Sequence, residues 1–338
     1  MARGAKALVT GGAGFMGSHL CDYLLDEMGF EVVALDDLSG GFEDNVPKGA
    51  TFVKGSVVDH VLVDRLFAEH RFDYVYHLAA YAAEGLSHFI KRFNYENNLI
   101  GSVNLIDAAV NHEAKCFVFT SSIAVYGAGQ VPMTEALEPR PEDPYGIAKH
   151  AVEQELRVSH EMFGLDSVIF RPHNVYGERQ NLGDRYRNVI GIFMNRLMQG
   201  EELPVFGDGE QQRAFTYVKD VIPGIARSVQ IEAARNRVFN VGSDHPFTVN
   251  RLAELVMDAM GVRAPVRHLP PRNEVKVAYS DHARFREVFS QACKDTPLEE
   301  GLRIMAAWAP TAGARRSAPY KSLEITRNLP PSWREVTR

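Results

Sequence analysis

Gly11, Gly14 and Gly17 stand between two differently patterned stretches, and that junction constrains the fold more than any other feature of the chain. Lys6–Thr10 is short and apolar and reads as a strand. After the glycines, Phe15, Leu20, Tyr23, Leu24 and Met28 recur at helical spacing. A strand, a glycine turn and a helix start leave free backbone N–H groups and a positive dipole end at one spot. That spot suits a pyrophosphate. Gly11 makes the tight turn, Gly14 lets backbone approach phosphate, and Gly17 lets the helix pack on the strand. Glu31–Leu35 is a second strand, ending at Asp36-Asp37. An acid about 20 residues after the glycines reads ribose hydroxyls and repels a 2′-phosphate. The expected cofactor is therefore NAD rather than NADP, although Asp37 is equally readable as an ordinary loop acid.

The alternation continues. Strands are expected at Thr51–Lys54, Tyr74–Leu78, Lys115–Phe119 and Ser167–Arg171. Helices are expected at Val58–Glu69, Tyr95–Val110 and Pro144–Phe163. Repeated βα units with apolar strands predict an α/β fold with a doubly wound parallel sheet, binding its ligand beyond the carboxyl ends of the strands. After Asn174 the rhythm changes, with helices at Val189–Gln199, Val221–Gln230 and Val249–Met260. Residues 1–173 read as one domain, with returns to the sheet near Phe215–Val218 and Val238–Val241. Residues 174–213 and 244–338 read as a smaller mixed α/β substrate domain. The Pro- and Arg-rich tail from Thr311 reads as loosely held.

Composition narrows the partners. A net charge of −6 gives no electrostatic reason to expect nucleic acid or an anionic membrane. No apolar run approaches the ~18 residues that span a bilayer. The amino terminus enters a strand at once, so no leader and a cytoplasmic location are expected. Cys21, Cys116 and Cys293 are odd in number and far apart, with neither metal nor disulfide spacing.

Thr120-Ser121-Ser122 follows a buried strand, so its hydroxyls are expected to face the cleft. Tyr145 starts a later helix, and Lys149 lies one turn along on the same face. A tyrosinate beside a lysine ammonium can take the proton of a secondary alcohol as its hydride leaves, with Ser122 holding the same oxygen. Taken alone, such a pair is also common on helix surfaces.

Six motifs occur in order: Thr10-Gly-Gly-Ala-Gly-Phe-Met-Gly17, His77-Leu-Ala-Ala80, Asn97-Asn98, Thr120-Ser-Ser-Ile-Ala-Val-Tyr-Gly127, Tyr145-x-x-x-Lys149 and Arg171-Pro-His-Asn-Val-Tyr-Gly177. As a set they resemble the extended short-chain dehydrogenase/reductases that act on nucleotide sugars. The resemblance implies a Rossmann fold, tightly held NAD, and Ser122, Tyr145 and Lys149 as the catalytic triad. It extends the cofactor contacts to Phe15, Met16, Ser56, Val57, Leu78, Ala79, Ala80, Asn98 and Thr120. Dehydratases of the family carry Asp-Glu, and UDP-xylose-type decarboxylases Glu, just before Val-Tyr-Gly. Ile123 and Ala124 stand here and cannot move a proton, which leaves 4-epimerisation. The chain is most similar to bacterial UDP-glucuronate 4-epimerases, with UDP-glucose and UDP-N-acetylglucosamine 4-epimerases as the nearest alternatives. Thr120, Ser121 and Ser122 would then hold a C6 carboxylate and oppose its loss. Arg185 is a second candidate for it, although a loop arginine is usually solvated. The resemblance also assigns substrate contacts to Asn174, Asn188, Val189, Val205, Phe206, Arg213 and Arg272, with a ribose acid at Glu274. It implies a homodimer formed by the helices Tyr95–Val110 and Pro144–Phe163.

Overall fold

The computed structural model describes residues 4–129, 131–184, 186–271, 275–292, 294–315 and 322–330. Arg185, Arg272, Glu274 and Cys293 fall outside the described residues. Strands β1 (Lys6–Thr10), β2 (Glu31–Asp36), β3 (Thr51–Lys54), β4 (Tyr74–His77), β5 (Cys116–Thr120) and β6 (Ser167–Pro172) form one sheet with Arg237–Val241 as its seventh strand. Its order is seventh, β6, β5, β4, β1, β2, β3, and every neighbouring pair is parallel. Both faces are covered, so the strands read as continuous apolar runs. Val9, Tyr76, Val118 and Phe170 point into one core with Leu20 and Leu24. Leu8, Val75, Phe117 and Ile169 point into the other with Phe67, Leu105 and Val152. This is the period-two alternation of a pleated strand.

Helices α1 (Phe15–Asp26), α2 (His60–His70), α3 (Glu84–Ser87), α4 (Lys91–Tyr95), α5 (Gly101–Asn111) and α6 (Pro144–Phe163) follow in order. The Asp59 carboxylate caps α2 by accepting the Leu62 N–H at 3.0 Å. Asp143 caps α6 by accepting from Gly146 N at 2.9 Å, with Pro144 in the first turn. Gly164, at φ +76°, ends it. Beyond Asn174 come helices Val189–Met198, Val218–Arg227, Val249–Met260 and Leu298–Ala312.

Three expectations are corrected. Tyr95–Val110 is not one regular helix: Glu96–Ile100 is a π turn leading into α5. Asn98 in that turn gives its side chain to the Tyr81 backbone, taking its N–H at 2.8 Å and donating to its carbonyl at 3.1 Å. Phe215–Val218 does not rejoin the main sheet, because Thr216–Tyr217 pairs with Val175–Tyr176 instead. Val238–Val241 does rejoin it, beside β6. The tail is not loose where it is described: Leu329 is buried against Ala83, Leu86 and Ile90, and Glu324 caps α4.

Candidate active site

One cleft of about 1830 Å³ opens beyond the carboxyl ends of the strands. At its floor, β1 turns into α1. Gly11 has φ +71°, and a Cβ there would stand 2.9 Å from the Ala79 amide nitrogen. A Cβ on Gly17 would stand 2.0 Å from the Gly11 carbonyl oxygen. Only glycine lets the loop close this tightly. No side chain caps α1 and no acid lies in its first turn, so its amides are left for an anion. The cradle fits a dinucleotide pyrophosphate. Phe15, Met16, Ser56, Val57, Leu78, Ala79 and Ala80 line the adjoining wall.

Asp36 and Asp37 both border the cleft. The buried Asp36 carboxylate accepts from Ala13 N at 3.1 Å and from Leu38 N at 2.8 Å, which ties β2 to the glycine loop. Burial nevertheless raises its pKa above the usual carboxylate range. Asp37 is exposed and accepts within its own turn, from Ser39 N at 2.8 Å. Asn98 is a correction: it does not line the cleft, because its amide is spent on Tyr81 and Asn94. It shapes the Leu78–Tyr81 wall from behind.

The expected triad does come together. Ser122, Tyr145 and Lys149 all line the cleft, and the Ser122 side chain lies close enough to the Tyr145 hydroxyl to favour its ionised form. Ser122 Oγ also accepts from Ala124 N at 3.1 Å, which fixes its rotamer. Lys149 Nζ donates to the Thr120 carbonyl at 2.7 Å and lies 5.8 Å from the Tyr145 ring centroid. Burial lowers the Lys149 pKa to about 7, against a weaker upward pull from Glu153. The expected lowering of the Tyr145 pKa counts on the nicotinamide charge of bound NAD as well as on Lys149. Burial drives its hydroxyl pKa up, Glu84 pushes the same way, and Ser122 and Arg187 only partly oppose them.

The hydroxyl triplet does not act as one. Thr120 Oγ1 donates to the His77 carbonyl at 3.1 Å. Ser121 Oγ donates to Glu153 Oε1 at 2.5 Å, inside the protein. All three residues line the cleft, but the hydroxyl hydrogens of Thr120 and Ser121 are already committed to these acceptors. Glu153 also accepts Arg171 Nε at 2.9 Å and Nη2 at 2.5 Å. This buried fork locks β6 to α6 directly behind Lys149.

Asn174, Asn188, Val189, Phe206 and Arg213 line the other half of the cleft. Asn174 (φ +40°) and Asn188 (φ +60°) both take left-handed backbone, which asparagine tolerates. Arg213 Nη2 donates to the Val275 carbonyl at 2.6 Å. Val205 is a correction: in the strand Leu203–Phe206, Leu203 and Val205 are buried in the core while Pro204 and Phe206 face the cleft. Sequence reasoning missed Tyr81, Glu84 and Arg187. Arg187 pairs with Asp184 and sits 4.9 Å over the Tyr81 ring. Among the described residues no helix is long and apolar enough to cross a membrane, and no acidic, histidine or cysteine cluster could hold a metal.

A parallel sheet with a glycine cradle beside a Ser-Tyr-Lys group defines a dinucleotide-dependent enzyme of hydride chemistry. Residues 7–242 match the model of the NAD dependent epimerase/dehydratase family, and the chain belongs to that family. It is 34% identical over 305 residues to the UDP-glucose 4-epimerase of Mycolicibacterium smegmatis, covering 88% of this chain and 96% of that one. The UDP-glucose 4-epimerase of Thermotoga maritima, solved with UDP-glucose, superposes with a TM-score of 0.85 at 34% identity, over 91% of this chain and 99% of that one. The UDP-glucuronic acid 4-epimerase of Bacillus cereus, solved with UDP-glucuronic acid and NAD, gives 0.83 at 27% identity over the same shares. The cofactor is NAD, and the chain is an enzyme of the epimerase/dehydratase family.

Proposed function

We propose that the protein interconverts UDP-glucuronate and UDP-galacturonate by inverting C4. The observation that carries the 4-epimerase reading is the Ser122-Tyr145-Lys149 group beside the glycine cradle, with Ala124 and Ile123 on the adjoining wall. The loop Gly11–Gly17 and Asp36 or Asp37 would hold NAD, which when bound would accept the C4 hydride and give it back to the other face of the sugar once the 4-keto ring has rotated. Tyr145 Oη takes the C4 hydroxyl proton and later returns it. Ser122 Oγ steadies the same oxygen, and Lys149 holds Thr120 and places charge near the tyrosine. The side chains at 123 and 124 carry no acid or base for water removal. Residues 174–213 and 244–338 take the nucleotide, with Arg213 toward the diphosphate and Phe206 toward the base.

The acid is supported by Arg187 in the cleft wall and by the likeness to the Bacillus cereus enzyme. A second reading, UDP-glucose, is favoured by the commitment of the Thr120 and Ser121 hydroxyls elsewhere. Incubation with each sugar separately, without added reductant and with products identified by NMR, tests both. Conversion of the acid alone is expected. Conversion of UDP-glucose alone keeps the mechanism and replaces the substrate. A pentose product with carbon dioxide release rejects the epimerase reading.

A further inference from the structure

Residues 322–330 lie across one rim of the cleft. The Glu324 carboxylate accepts the N–H groups of Arg92 at 2.8 Å and Phe93 at 2.9 Å, at the start of α4, which has no cap of its own. The amides of Glu324 and Ile325 donate to the Phe89 carbonyl at 2.9 and 3.2 Å. Leu329 is only 4% exposed, packed on Ala83, Leu86 and Ile90, while its neighbours Asn328 and Pro330 face the cleft. The segment gripped in this way touches the catalytic helix. Ser87 Oγ accepts the Tyr145 N–H at 3.3 Å, and Asn94 Nδ2 donates to the Pro144 carbonyl at 2.8 Å. Glu84, on the same segment, acts electrostatically on the Tyr145 hydroxyl.

We propose that residues 322–330 form a strap that sets which ring substituents the sugar carries. Asn328 and Pro330 supply part of the wall that limits the bulk of a pyranose substituent. Leu329 and Glu324 anchor that wall and hold α3 and α4 in register with Tyr145. The selectivity part rests on the UDP-sugar reading above; the coupling of strap to catalytic helix does not. The strap joins two functions through one anchor, because the contacts that place the wall also brace the first turn of α6.

Full-length Leu329→Asp, Glu324→Ala and Glu324→Gln variants test this. In Leu329→Asp the ratio of kcat/KM for UDP-glucuronate to that for its bulkier 2-acetamido counterpart, UDP-N-acetylglucosaminuronate, should shift roughly tenfold, with bound NAD unchanged. An unchanged ratio, or an equal fall on both sugars, overturns the selectivity role. Hydrogen exchange, read without any sugar, tests the coupling. Glu324→Ala should speed exchange at Arg92, Phe93 and Tyr145 by about five- to tenfold, the worth of one helix cap. Glu324→Gln, which keeps an acceptor oxygen, should restore much of the protection. Unchanged exchange at Tyr145 in Glu324→Ala overturns the coupling. If the native protein turns over no nucleotide sugar, the proposed function and the selectivity role both fall, and the exchange result still decides the coupling.

Discussion

Tyr145 and Lys149 show how burial sets the working chemistry of single residues. Tyr145→Phe removes only the hydroxyl, so folding and NAD content should survive while turnover falls by about 10²–10⁴. Product formation by NMR, beside cofactor content after denaturation, checks this. Lys149 carries its own pH signature. Its pKa is about 7 in the folded protein and 10.5 when exposed, so between those values the unfolded chain binds more protons. Stability from this group therefore rises with pH above 7 and is lost as pH falls through 7. The melting temperature of the native protein should climb relative to that of Lys149→Met between pH 7 and pH 9, and parallel curves would contradict the assignment. Cys21 and Cys116, by contrast, are buried thiols whose pKa values burial raises, that of Cys116 to about 12, so neither is poised to react.

At the scale of elements, what holds the site is what sequence patterning could not reveal. The glycine turn, the acids Asp36 and Asp37 at the end of β2 and the Tyr-Lys turn of α6 were legible because each is local: spacing fixes them within one or two elements. The π turn at Glu96–Ile100 was not, because the side-chain clasp from Asn98 to Tyr81 that accompanies it is a contact made only after folding. The commitments of the Thr120 and Ser121 hydroxyls have the same origin. Their partners lie on β4 and α6, and nothing near positions 120–122 announces them. Val205 was misassigned because one strand offers two faces, and the sequence does not say which one meets the cleft. The Glu153–Arg171 fork ties β6 to α6 at full burial. Arg171→Leu leaves the Glu153 carboxylate buried without its partner, and should cost about 3–5 kcal/mol in chemical denaturation. A loss under 1 kcal/mol would mean that Ser121 and His150 suffice to hold the charge.

The whole molecule presents an apolar stripe that its own fold leaves uncovered. Ile147, Val158, Met162 and Phe163 along α6 are exposed, Met162 by 68%, and Ile100 stands exposed at the start of α5. We propose this stripe as the homodimer face. Met162→Asp should convert a dimer to a monomer in sedimentation velocity without loss of secondary structure; a native protein that sediments as a monomer would remove the proposal. The main sheet, meanwhile, is completed by a strand from far along the chain. Arg237–Val241 pairs with β6 across a long intervening stretch, and Asn240 binds back to the cleft wall, accepting from Tyr126 Oη at 2.8 Å and donating to the Met133 carbonyl at 3.0 Å. During synthesis, the first six strands emerge with an open edge beside β6 and an unbraced Tyr126–Met133 loop. The nascent chain can shape its cofactor cradle early but cannot finish its catalytic wall until Val241 has left the ribosome. In that interval the β6 edge is open to mispairing.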